Sequence, residues 1–182
     1  MIIPHQTIVY ASIVQVAVAS IPIIYSRVAH RDLRDYGLKV TKKLLLQGVS
    51  LSIGIGTCLS LISSPASLTV GWVFFICFLA PVCEEFFFRG FLQTHLMGKV
   101  RGGKRLLKLN LSYGLMLTAF IFGAVHLLDI FLLDLSLLDA IISAMFAMLF
   151  GLLIGYIYQE TRSILTPILM HSCLNGLPLL PL

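Results

Sequence analysis

Apolar positions gather into six long runs, at residues 7–25, 44–63, 68–97, 111–128, 137–158 and 163–180, separated by short polar or charged breaks. Each run is close to the roughly 20 residues a helix needs to cross the hydrocarbon layer. None alternates with the period of an outer-membrane strand, and without water at membrane depth a backbone must satisfy its own hydrogen bonds. The pattern predicts an all-α integral membrane protein: a single transmembrane domain over 1–182, built as a bundle of about six helices. A signal peptide is the other reading of the first run, but residues 1–6 hold no Lys or Arg, so it is taken as a mature span.

Composition agrees with the pattern. Of 182 residues 58% are apolar and 12% charged, against about 45–50% and about 25% in soluble domains. A soluble fold this small needs more polar groups than that to cover its surface. The four cysteines, Cys58, Cys77, Cys83 and Cys173, stand in apolar stretches without CxxC spacing, which suggests neither a zinc knuckle nor a disulfide frame.

Charge adds orientation. Of 13 Lys and Arg, six fall in 27–43 and five in 99–108. Such clustering argues against a nucleic-acid surface. It marks two cytoplasmic loops facing anionic membrane lipids. Loops 64–67 and 129–136, which lack Lys and Arg, then lie on the other side with both termini, and the turn 160–162 lies inside. Asp129, Asp134 and Asp139 are assigned to hydration of the outer loop. In the fifth run Ser143, Ala147, Gly151 and Gly155 recur every fourth residue, a small-residue ridge suited to close helix packing.

The polar residues inside spans are the informative ones. Glu84, Glu85 and Arg89 interrupt the third run; at the bilayer centre each charge costs about 2.5–3.5 kcal/mol, so all three should face the bundle interior with partners. Glu85 and Arg89, four apart with the acid first, form a structural ion pair. Glu84 projects about 100° away and is left as a proton acceptor. The fourth run carries His126, and the sixth His171 and Asn175, again four apart. Counted along the spans from the basic ends, Glu84, His126 and Asn175 lie about 22, 27 and 20 Å deep, near enough in height to share one intramembrane polar cavity. A lone buried histidine or Asn is ordinarily a packing residue, but several polar groups at matching depth in lipid need a common reason. His5, His30 and His95 sit near span ends, where interfacial roles suffice.

These residues fall into three ordered motifs: EExxxR at Glu84–Arg89, FxxxH at Phe122–His126 and HxxxN at His171–Asn175. In this the chain resembles the CAAX protease and bacteriocin-processing family, also called the Abi family, which includes the type II CAAX prenyl endopeptidases. The likeness covers about residues 70–177, a family-like catalytic core. Residues 1–66 hold two additional N-terminal spans that are alike only in being hydrophobic. Six spans are fewer than in the prenyl endopeptidases, and only seven residues follow Asn175.

The resemblance implies an intramembrane endopeptidase of glutamate type without a cofactor, in which Glu84 and His126 activate a water while His171 and Asn175 stabilise the oxyanion. Its substrate would be a prenylated CAAX-like, bacteriocin-like or membrane-embedded peptide. Other chemistries stay open at this point. Glu84, His126 and His171 could ligate zinc as a His₂Glu set. Cys83 or Cys173 could serve as nucleophile, although nothing visible would activate either. From other functional classes come a catalytically silent scaffold or regulatory binding protein of the same fold, and a proton-coupled carrier.

Overall fold

The computed structural model describes residues 5–38, 70–106, 109–132 and 135–176. Helix α1 spans His5–Val28, followed by a 3₁₀ turn at Leu33–Tyr36. Helix α2 runs Val70–Lys99, α3 Tyr113–Phe131 and α4 Leu137–Thr161; with α1 these are the four described helices long and apolar enough to cross a membrane. Helix α5, Leu165–Gly176, has 12 residues, about 18 Å of rise. The second predicted run, 44–63, and the end of the sixth fall outside the described residues. The protein is an all-α membrane protein.

Two departures from the sequence expectation lie at helix ends. The basic loop after α2 contains an antiparallel hairpin, β1 Gly103–Leu106 and β2 Leu109–Ser112, with Gly103 opposite Ser112. The side chain of Gln159 at the end of α4 secures it, accepting from the Ser112 N–H at 3.1 Å and donating to the Asn110 carbonyl at 2.7 Å. Second, Asp129 does not belong to the outer loop. α3 tightens into a 3₁₀ turn at His126–Leu128 and then continues helically, carrying Asp129 with it.

One end of the bundle collects the basic loops. Ile164 N–H donates to Gly37 O at 2.9 Å, which ties the turn after α1 to the α4–α5 turn. Gly37 has φ +81° and packs on the Tyr158 ring, where a side chain would have no room. The Tyr158 hydroxyl reaches Thr94 of α2 at 2.6 Å.

Helices α3 and α4 form the most extensive helix pair, and small residues explain it. In lipid no hydrophobic force joins helices, so backbones associate by close approach. A Cβ on Gly123 would stand 2.7 Å from the Ala144 carbonyl, and one on Gly151 would stand 3.3 Å from the Phe122 ring. The small-residue ridge therefore divides. Gly151 and Gly155 pack on α3 and α2, whereas Ser143 and Ala147 line a cleft of about 190 Å³ beside Phe122, His126 and His171.

Candidate active site

Helix α2 departs from regular geometry in its middle. Wider π-type turns occupy Phe75–Leu79 and Phe86–Gln93, on either side of a regular turn that holds Pro81, Glu84 and Glu85. Pro81 helps to explain the first of them. Ala80 gives its N–H to the Phe75 carbonyl, and Pro81 has none to give. The two N–H groups that would ordinarily serve the Ile76 carbonyl are thus diverted or missing. Asn175 of α5 fills the gap, donating from Nδ2 to Ile76 O at 2.9 Å. Its second amide N–H is left for other work.

Below this point lies a buried ionic chain. Arg89 Nε stands 3.1 Å from Glu85 Oε2, with both side chains almost wholly inaccessible. The other oxygen of Glu85 lies 2.8 Å from His171 Nδ1. A carboxylate only accepts, so this bond fixes the ring proton on Nδ1 and turns Nε2 toward Glu84, whose Oε2 is 3.9 Å away. The guanidinium lies over the Phe122 ring, 4.4 Å from its centroid, a cation–π contact. Phe122 also meets the His126 ring edge-on at 4.7 Å and that of His171 at 6.0 Å. Sequence reasoning paired Glu85 with Arg89 but did not foresee that His171 completes the chain.

His126 is fixed by the spacing of its own motif. Four residues after Phe122, its Nδ1 lies 2.8 Å from the Phe122 carbonyl. Nδ1 must therefore carry the proton, which leaves Nε2 as an acceptor.

These groups line one cavity. Its volume is about 600 Å³, and its walls include Glu84, His126, His171 and Asn175, with Trp72, Phe75 and Ile76 of α2 and Tyr10, Ala11, Val14 and Gln15 of α1. Glu85 and Arg89 are not part of that lining and sit behind it. Two lining residues were missed from sequence. Asp129 lies three positions past His126, and Gln15 donates from Nε2 to Glu84 Oε1 at 2.5 Å. For Gln15 the clue was available, since it is the one amide or charged side chain within the first run.

No Ser, Thr or Cys lines this cavity among the described residues, and Cys83 is buried away from it. Among the same residues no three His, Cys, Asp or Glu side chains are grouped as a metal ion would require. In both histidines Nδ1 is engaged and Nε2 is free, and Glu84 accepts from Gln15 through one oxygen.

Fold and site together define a polytopic membrane protein with a cavity between apolar helices that gathers carboxylate, imidazole and carboxamide groups. No curated protein and no solved structure matches the chain. A family described as Type II CAAX prenyl endopeptidase Rce1-like matches residues 66–177. The chain belongs to that family, and so to the membrane peptidases.

Proposed function

We propose that the protein hydrolyses a peptide bond of a prenylated CAAX-type peptide within the membrane, using a water activated by Glu84 and His126. The observation that carries this reading is the shared cavity, which places a carboxylate, two imidazoles and a carboxamide around one space. A water lodged there could give one hydrogen bond to Glu84 and another to His126 Nε2, keeping a lone pair for the scissile carbonyl. Glu84 takes the proton as water attacks, and such a base contributes about 10²–10⁴-fold. His171, oriented by Glu85 and entering the step with a proton on each ring nitrogen, which it keeps, donates from Nε2 to the developing oxyanion beside the free N–H of Asn175. One preorganised donor of this kind is worth about 10²–10³-fold. Collapse of the tetrahedral intermediate passes the proton to the leaving amine. The apolar walls suit a lipid-bearing substrate, and the basic end of the bundle faces the cytoplasm on this reading.

The test is cleavage of a farnesylated, internally quenched CAAX peptide by purified protein in nanodiscs, with products identified by mass spectrometry. We expect a single cut by the wild type, unaffected by chelators, and a loss of about 10² or more in Glu84→Gln. A wild type that cleaves no member of a broad prenylated panel, or a Glu84→Gln variant as fast as wild type, would contradict it. Abolition by chelators would reassign the water to a metal.

A further inference from the structure

The family match begins at residue 66, yet the cavity does not end there. One of its walls is α1, through a stripe formed by Tyr10, Ala11, Val14 and Gln15. These positions follow the i, i+1, i+4, i+5 spacing of a single helix face. Three of the four give the cavity ring or apolar surface. Gln15 gives an amide, and its Nε2 donates to Glu84 Oε1 at 2.5 Å across a separation of 69 residues.

That bond makes the two oxygens of Glu84 unequal. Oε1 is tied to α1, while Oε2 faces the His171 ring at 3.9 Å. Glu84 remains slightly accessible and carries three rotatable bonds, so without a fixed donor its carboxylate would sample several orientations in the chamber. A base loses much of its effect when its reacting atom is misplaced by as little as an ångström. The charged or titratable groups around it are Glu85 and Arg89 on its own helix, His126 and Asp129 on α3, and His171 on α5. α1 adds the Tyr10 phenol and no carboxylate, imidazole or cationic group; the Gln15 amide is neutral, so it can orient Glu84 without adding a charge.

Resting on Glu84 as the base, we propose that Gln15 is a positioning residue: its amide pins one oxygen of Glu84 and presents the other to the water, so that α1 completes a site the family segment leaves open on one side. The change that tests this is Gln15→Met, which keeps length and apolar bulk but removes the donor. Two readouts are taken together. On the farnesylated quenched peptide, kcat should fall about 10- to 100-fold while KM stays within about twofold, and in a Glu84→Gln background Gln15→Met should cost nothing further. In infrared difference spectra, the carboxylate band assigned to Glu84 by its absence in Glu84→Gln should shift. An unchanged kcat, an unmoved band, or a KM effect without a kcat effect would each overturn the proposal. Should Gln15→Met fail to fold, Gln15→Asn, one methylene too short to reach Glu84, is read the same way. The band is measured without turnover, so it still tests Gln15 if the wild type cleaves no peptide, an outcome that would sink the proposed function alone.

Discussion

Phe91 and Phe122 each stand four residues before a histidine, and each pair folds alike: ring Nδ1 on the phenylalanine carbonyl at 2.8 Å, rings about 4.5–4.7 Å apart. Only His126 reaches the cavity. His95 packs among Tyr25, Tyr36 and Phe91 near the basic end. Spacing in sequence thus dictates the local bond but not which chamber the ring enters, and depth along the span separates the two. The same depth count brought Glu84, His126 and Asn175 to similar heights. It could not reveal that His171 leans on Glu85, or that Gln15 reaches Glu84, because both bonds join separate helices. Arg89 shows what a buried ion pair within one helix is worth. Its charge is fully buried against Glu85 and Phe122, so Arg89→Met strands the carboxylate, and removing one partner of a buried pair costs about 3–5 kcal/mol. Chemical denaturation of the purified variant should register that loss, together with loss of activity as His171 is released. A variant as stable as wild type would mean that His171 alone keeps Glu85 adequately paired.

Among the elements, hydrophobic length made the described spans legible to within a few residues. The hairpin was not legible, since its pairing depends on a clamp from Gln159, roughly 50 residues away along the chain. Nor were the wide turns of α2. Pro81 takes an N–H out of the ladder, but the response to it, an Asn175 side chain on the Ile76 carbonyl, is a tertiary event. Pro81→Ala returns an N–H to that ladder and should loosen the hold on Asn175, lowering kcat without lowering the thermal midpoint. Asn175→Ala should differ by also costing about 1–3 kcal/mol, the penalty for a buried acceptor left without its donor. Identical effects of the two changes on stability would argue against this link. In the α3–α4 pair, Gly123→Val drives methyl groups into the Ala144 carbonyl and Met148. Such overpacking costs about 1–3 kcal/mol, visible as a lower unfolding midpoint; no change would mean that the helices part without penalty.

At the scale of the whole molecule, helices α1, α2, α3 and α5 line a cavity that concentrates polar groups in an otherwise apolar bundle. That arrangement explains the sparse charge of the chain. A few ionisable side chains are retained inside because opposite charges lie side by side, as in the run from Arg89 through Glu85 to His171, or because they face the cavity. It also means that the reacting groups should behave as a unit. Residues acting on one water are grossly non-additive, since once one is lost the other has nothing left to assist. The most direct measurement is therefore a double-mutant cycle on kcat/KM of the purified protein with Glu84→Gln, His126→Ala and the pair together. Each single change should cost about 10² or more, and the double variant should lie within a few-fold of the slower single. If the two losses multiply instead, Glu84 and His126 do not share a water, and the chamber is not the hydrolytic centre described above.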